Sequence, residues 1–408
     1  MIHLFVIADD FTGALDTGVQ FASYGAATKV VVGTGLQALE ADAQTQVLVV
    51  AETRHLPAAQ AYDTVYRLVR WAKEKKIGCI YKKTDSALRG NIGAELSAAL
   101  AADGGDRLHF VPAFPNLDRV TRGGVHYIGG VPVAQSVFGK DPFEPVTHSR
   151  VEDILHEQTD TLCAYIPGGG SAEGKAGVLV YEAQTNRDMA QIADRLAARS
   201  ETGLLAGCAG FASVLPRLLQ LSCRDTAPLP LCGRLLAVCG SINPVSLEQC
   251  AQAEAQGAPR FSLTPEQKLS RDWAAGAQAG EMLRACSQEP VVVLDTGGAV
   301  ENAGADKTAD RIQIANTLGA LLKRLLDDGL ESTVLIMGGD CLLGLMRQLD
   351  VTEIMPLCEV APGVVLSQFT YGGRQWNLVS KSGGFGAKTL FYDLQNILER
   401  WKKELPAV

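Results

Sequence analysis

Short apolar runs rich in β-forming residues alternate along the chain with stretches whose apolar residues recur every three or four positions. That alternation is the pattern of β-α-β units around mainly parallel sheets. In the first half the spacing predicts strands over residues 2–8, 28–32, 47–51, 79–82 and 108–112, with helices over 14–24, 58–75 and 92–102 between them. After Pro115 the rhythm loosens. There the glycine pairs Gly123-Gly124 and Gly129-Gly130, set among β-formers, predict a hairpin or lid, and Ile166-Pro167-Gly168-Gly169-Gly170-Ser171 reads as a mobile turn. The alternation resumes with a strand at 177–181, a helix at 189–198 and a strand at 204–206.

Residues 223–230 are short of apolar positions, polar and proline-bearing, as expected of a domain linker. Beyond them the pattern restarts, with strands at 235–239, 291–295, 334–337 and 378–381 and helices at 245–256, 312–328 and 390–403. A chain of 408 residues exceeds what one hydrophobic core usually serves. The expectation is an α/β protein of two lobes with mainly parallel sheets and an interdomain cleft, an N-terminal domain over 1–222 and a C-terminal domain over 231–408.

Composition narrows the class of partner. With 47% apolar and 20% charged residues the chain should fold, and a net charge of -8 argues against broad binding to nucleic acid or an anionic membrane. The first apolar run meets Asp9 and Asp10 too soon for a signal peptide or a membrane span. Ten cysteines lie scattered with no Cys-x-x-Cys pair, which reads as buried free thiols in a reducing cytosol rather than as a disulfide or zinc framework. Partners are expected to be small molecules, with homo-oligomerisation left open. Trp71, Trp273, Trp376 and Trp401 show no clustering and read as packing residues.

The chemistry-bearing residues gather at predicted strand exits. The first strand runs into Ala8-Asp9-Asp10-Phe11-Thr12-Gly13, two carboxylates at the sheet edge where open α/β folds bind ligands. One carboxylate there suits a hydroxyl proton; helix capping by Asp10 or Thr12 is the bland alternative. Tyr81-Lys82-Lys83-Thr84-Asp85-Ser86-Ala87-Leu88-Arg89-Gly90-Asn91 brings ammonium, hydroxyl and carboxylate groups to a second exit, and Arg54 follows a third. Together they suit an anionic, polyhydroxylated substrate, although a solvated basic turn would look the same. In the second half, Gly240-Ser241-Ile242-Asn243-Pro244, Gly338-Gly339-Asp340-Cys341 and Lys381-Ser382-Gly383-Gly384-Phe385-Gly386 are glycine-bearing exits whose backbone N–H groups could approach phosphate oxygens. Neither a P-loop nor a dinucleotide glycine fingerprint stands at these exits.

Ile7-Ala8-Asp9-Asp10-Phe11-Thr12-Gly13, Lys82-Lys83-Thr84-Asp85-Ser86-Ala87-Leu88-Arg89-Gly90-Asn91, Val111-Pro112-Ala113-Phe114-Pro115 and the three glycine exits occur in the order seen in the four-carbon acid sugar kinase family, which the chain resembles over nearly its whole length. The resemblance implies ATP-dependent phosphorylation, with Mg²⁺, of the terminal hydroxyl of an acid such as threonate, erythronate or 3-oxo-tetronate. It implies an N-terminal acid site built from Asp9, Asp10, Arg54, Lys82, Lys83, Thr84, Asp85 and Ser86. It implies a C-terminal ATP site at Ser241, Gly338, Gly339, Asp340, Cys341, Gly383 and Gly384, with Cys341 standing where the family commonly has threonine. The Lys82-Lys83-Thr84-Asp85-Ser86 stretch is similar to threonate and erythronate kinases, and the expectation leans to threonate.

On this reading Asp10 orients or deprotonates the hydroxyl, Asp85 stands in reserve, and Arg54 with Lys82 or Lys83 holds the carboxylate. No residue is expected to ligate a metal directly; Asp340 could serve one indirectly. His126 and His148 flank the lid-like region as further candidates for contact with substrate or phosphate, against ordinary loop hydrogen bonding. Two rivals stay open: a nicotinamide-dependent dehydrogenase and a non-catalytic sugar-acid sensor.

Overall fold

The computed structural model describes residues 2–33, 35, 36, 39, 44–50, 52–141, 144–221, 232–270, 272, 273, 278–297 and 307–404. The predicted linker at 223–230 lies outside the described residues. The chain divides into two compact units, Met1–Arg224 and Asp225–Val408.

The first unit runs β1 (Leu4–Ala8), α1 (Phe11–Ala22), β2 (Thr28–Val31), β3 (Val47–Val50), α2 (Ala58–Glu74), β4 (Cys79–Lys83), α3 (Ile92–Asp103) and β5 (Arg107–Val111). It continues with β6 (Arg119–Arg122), β7 (Val125–Ile128), β8 (Val131–Pro132), α4 (Val151–His156), β9 (Cys163–Ile166), β10 (Gly177–Tyr181), α5 (Asn186–Ala198), β11 (Leu204–Gly207), α6 (Ala209–Ala212) and α7 (Leu215–Leu218). Its main sheet has the order β2-β3-β1-β4-β11-β5-β10-β9, every neighbouring pair parallel. Parallel strands covered on both faces are apolar throughout, and Leu4 to Ala8 is fully buried. The chain leaves β1 for one side of the sheet, at β2 and β3, and then for the other, at β4. The exits of β1, β3 and β4 therefore meet at a topological switch point, where such sheets bind ligands.

The segment read as a hairpin or lid folds as a three-stranded antiparallel ribbon, β6-β7-β8. Gly123 and Gly124, between the paired Arg122 and Val125, both take positive φ, as a two-residue turn requires. The strand β9 gives no clear sequence signal, because Cys163–Ile166 is short and mostly half-buried.

The second unit comprises β12 (Leu235–Cys239), α8 (Pro244–Ala255), β13 (Arg260–Ser262), α9 (Pro265–Leu269), α10 (Gln278–Gln288), β14 (Val291–Asp295), α11 (Lys307–Asp327) and β15 (Thr333–Met337). It closes with α12 (Gly339–Leu349), β16 (Glu353–Ala361), β17 (Val364–Tyr371), β18 (Arg374–Lys381) and α13 (Leu390–Glu404). The order here is β13-β14-β12-β15-β18-β17-β16; strands β13 to β18 pair in parallel, while β17 and β16 are antiparallel additions. Only the last half of β18 carries the apolar run that predicts a strand. The meander before it is part-exposed, so it lacks the continuous apolar run of a parallel strand. Again the central exits, of β12 and β15, lie at the switch point. Each unit has its own core, one around Phe5, Ile80, Leu96 and Phe110 and the other around Leu235, Val293, Leu335 and Phe391.

Candidate active site

In the first unit Asp9 and Asp10 follow β1 directly. Asp10 caps α1 by accepting from the Gly13 N–H at 3.1 Å, and its other oxygen accepts from the Thr12 hydroxyl at 2.9 Å. Capping and site chemistry coexist, because the same carboxylate also takes Arg54 Nη2 at 2.9 Å and Lys83 Nζ at 3.1 Å. Asp9 binds Arg54 through Nε at 2.7 Å and Nη2 at 2.6 Å, and Lys83 at 2.8 Å. Gly13 is required here: a side chain would collide with the Lys83 ammonium and the Asp10 carboxylate.

Backbone and side-chain bonds lock the three exits together. The Asp9 carbonyl accepts from the N–H groups of Thr53 and Arg54, and Asn91 Nδ2 donates to the carbonyls of Thr53, Arg54 and Leu56. After β4, Asp85 accepts from the backbone of Ala87 and Arg89 and receives the Arg89 guanidinium in two bonds of 2.8 and 3.1 Å. Arg54 Nη2 lies 3.6 Å from Asp85 Oδ1, which joins the two halves of the cluster. Arg89 reaches on to Asp141 at 3.1 Å, and Phe138 lies beneath the guanidinium groups of both Arg89 and Arg119.

Burial alone would raise the Asp10 carboxyl, but Arg54 and Lys83 outweigh it and hold the group well below the usual carboxylate range. Asp85 is likewise held low, burial being overcome by Arg89 and Arg54. Both are ionised at neutral pH. Four carboxylates, Asp9, Asp10, Asp85 and Asp141, interleave with the cations Arg54, Lys83 and Arg89. Such a cluster offers fixed acceptors to sugar hydroxyls and fixed donors to a carboxylate.

Among the residues expected to bind the acid, Asp9, Asp10, Arg54, Lys83 and Asp85 are brought together, and Ser86 adjoins them. Lys82 is not among them. Strand alternation turns it to the opposite face of β4, where it pairs with Glu95 of α3 at 2.8 Å with both side chains at 0% exposure. Burial raises the Glu95 carboxyl, with Lys82 opposing. Thr84 is fully buried and its N–H bonds the Gly207 carbonyl, so it serves the strand exit. Ser86 is fixed from the ribbon: its hydroxyl accepts from Arg119, and its carbonyl accepts from His126 Nε2 at 2.9 Å. His126 is itself fully buried and takes the Thr121 hydroxyl on Nδ1; burial lowers its pKa to about 4. It positions Ser86 rather than facing outward. His148 sits 3.3 Å from Glu157 on the surface. Arg119, Asp141 and Phe138 were missed because only folding brings the ribbon and the segment after it to the β4 exit; Arg89 stood in the motif but was given no role.

In the second unit the three glycine exits meet. A side chain at Gly338 would sit 3.8 Å from the Gly240 carbonyl carbon and the Ser241 nitrogen, and one at Gly383 would collide with the Ser241 hydroxyl. Gly338 adopts φ 112°, open only to glycine without strain, and α12 starts at Gly339 with no side-chain cap. Its first-turn N–H groups remain for an anion. The Cys341 side chain does not join them: it is 3% exposed, its sulfur fills the space a Gly240 side chain would need, and burial pushes its thiol up. Only its backbone is placed for a ligand. Asp340 is more exposed and lies 3.4 Å from Arg311. Asn243 caps α8 through Val245 N at 3.0 Å, with Pro244 in the first turn. Among the described residues no group of three or more His, Cys, Asp or Glu is placed to hold a metal.

A two-unit α/β protein, with interleaved charges at one switch point and uncapped glycine turns at another, is built to handle a small hydroxylated anion and phosphate groups. Residues 4–215 match the family described as a sugar-binding N-terminal domain, and residues 236–391 the one described as a nucleotide-binding C-terminal domain. The chain is similar to a D-threonate kinase of Bordetella bronchiseptica, 32% identical over 98% of both chains. It is also similar to one of Salmonella typhimurium, 29% identical over 98% of this chain and 99% of that one. Other full-length relatives are named D-erythronate kinase and 3-oxo-tetronate kinase. A solved Salmonella typhimurium structure described as a tRNA synthase shares the fold, with TM-score 0.79 and 22% identity over 98% of this chain and 100% of that one. The chain belongs to the four-carbon acid sugar kinase family.

Proposed function

We propose that this chain transfers the terminal phosphoryl group of ATP to the terminal hydroxyl of a four-carbon sugar acid, and that the acid is D-threonate. The first unit binds the acid, and the glycine exits of the second bind ATP. Supporting the choice of acid are two relatives named D-threonate kinase that align along 98% of this chain. The observation that carries the chemistry is the Asp10 carboxylate, held ionised by Arg54 and Lys83 and more exposed, at 15%, than Asp9 at 2% or Asp85 at 8%.

Phosphoryl transfer asks little of a base and much of positioning. A low-pKa carboxylate suits that demand: Asp10 accepts the hydrogen bond of the attacking hydroxyl and aligns it, and the proton leaves late. Asp85 holds Arg89 and Arg54 in place, and Arg54 with Lys83 receives the acid's carboxylate. Mg²⁺ bound with ATP would shield phosphate charge; hard cations of this kind need only one or two carboxylates beside phosphate and water, and Asp340, beside Arg311, is the carboxylate of that turn. Nine free cysteines among the described residues support a reducing, cytoplasmic setting. Among the described residues no helix is long and apolar enough to cross a membrane.

The test is ADP release with D- and L-threonate, D- and L-erythronate and 3-oxo-tetronate, with and without Mg²⁺. D-threonate should give the highest kcat/KM; preference for another acid overturns that choice, and no ADP from any acid overturns the activity. Asp10→Asn should lower kcat by about 100-fold or more while acid still binds. Near-normal turnover would remove Asp10 from the chemistry.

A further inference from the structure

The turn that follows β18 is held from behind by side chains to which nothing so far assigns a role. Lys381 Nζ donates to the Ser246 hydroxyl at 3.0 Å and to the carbonyls of Ser382 and Gly383, each at 3.2 Å. The Ser246 hydroxyl in turn donates to the Gly383 carbonyl at 2.8 Å. One turn further along α8, Gln249 Nε2 reaches the carbonyls of Phe385, Gly386 and Ala387 at 3.0, 3.0 and 2.9 Å. Five carbonyls within six residues are thus drawn to one side.

A trans peptide plane points its N–H opposite to its carbonyl. With the Ser382 and Gly383 carbonyls turned to Lys381, the N–H groups of Gly383 and Gly384 point away from it. The Phe385 and Gly386 carbonyls, turned to Gln249, do the same for Gly386 and Ala387. Successive N–H groups presented on one side form an anion-binding concavity. Gly383 also abuts Ser241, so this concavity adjoins the β12 exit.

Lys381 is 1% exposed, and its hydrogen-bond partners are all neutral oxygens. A buried ammonium without a counter-ion is costly, and here the cost remains until an anion arrives. Among the described residues, the titratable groups about it are the thiols of Cys239 at the end of β12 and Cys250 on α8 and no carboxylate pairs with it; Glu248 of α8 is engaged with Lys388.

We propose that Lys381, acting through Ser246 and with Gln249, is the positioning residue that presents the backbone N–H groups of the 382–387 turn to the nucleotide's phosphates and supplies the charge beneath them. This rests on the reading of the second unit as the ATP site. Burial lowers the Lys381 pKa to about 8, so the device carries its own pH dependence. Charged below that value, Lys381 loses its proton above it, and nucleotide affinity should fall on the alkaline side while acid binding does not.

The experiment measures ADP binding to the full chain by calorimetry from pH 7 to 9.5, where the phosphates are already ionised. Affinity should hold to about pH 8 and drop about tenfold by pH 9.5. Lys381→Met should weaken ADP about tenfold at pH 7.5, the scale of one charge-assisted contact, and abolish the alkaline drop. Lys381→Arg should restore affinity and keep it flat, because guanidinium stays charged. Cys239→Ala should retain the drop, and the KM for D-threonate should stay within twofold in every variant. The proposal is overturned if the folded Met variant binds ADP like the parent, if the parent shows no alkaline drop, or if Cys239→Ala removes it. Should Lys381→Met not fold, Ser246→Ala and the parent's own profile decide in the same way. A parent that binds D-threonate but no ADP at any pH defeats the nucleotide reading itself, and the proposal with it.

Discussion

Asp10 combines two duties at one residue, capping α1 and taking the charges of Arg54 and Lys83. Its pH behaviour follows from the second. A carboxylate whose folded pKa is depressed adds stability that is complete above the unfolded value, near 3.9, and is lost as pH falls through the folded one. Asp10 and Asp85 both fall in this class. Neither should change urea midpoints between pH 7 and 5, where the buried His126 already favours unfolding below about pH 6.5; both add to the decline below about pH 4, and Asp10→Asn should shallow that lower part. By the same sign, kcat/KM should show no acidic limb from Asp10 above pH 5. The Lys82–Glu95 pair behaves differently, being sealed from water. Glu95→Gln should cost about 3–5 kcal/mol in chemical unfolding by stranding the ammonium, whereas a joint change of both residues to Met should cost far less. Adjacent lysines read alike in a sequence, and only the parity of the strand decides that Lys83 meets the aspartates and Lys82 meets α3.

At the scale of elements, the parallel strands were legible because burial on both faces makes them continuously apolar, and their exits marked where to look for chemistry. Asp9, Asp10, Arg54, the Lys82–Lys83 pair and Asp85 could be gathered from that rule alone. Arg119 and Asp141 could not, because they come from the ribbon and the segment after it, which carry no sheet-edge signal. The β16–β18 meander is less legible because β16 and the first half of β18 are part-exposed and the buried run of β17 is broken by the polar Ser367 and Gln368; its turns, such as Gly372-Gly373 with φ of 59° and 73°, are the clearer mark. Helices α11 and α12 approach so closely that a side chain at Gly344 would strike the Ala315 carbonyl, and one at Gly319 the backbone of Gly344. Gly344→Val should cost about 3 kcal/mol and, because α12 opens at Gly339, should weaken ADP binding as well as lower Tm.

For the molecule as a whole, the two cores draw on separate residues, so each ligand should stabilise the unit that holds it. Scanning calorimetry with D-threonate alone and with ADP alone should shift different parts of the unfolding profile, each by about 2.7 kcal/mol at a hundredfold excess over Kd. A single shift common to both ligands would contradict that division. The side chains proposed to handle the acid all lie in Met1–Arg224 and the glycine exits in Asp225–Val408. For the history of such chains, the proposed division loosens a constraint: substitutions around Arg54, Arg89 or the β6–β8 ribbon would retarget the acceptor while the half proposed to grip the phosphate donor is left untouched. A lineage built this way can diversify its diet one half at a time.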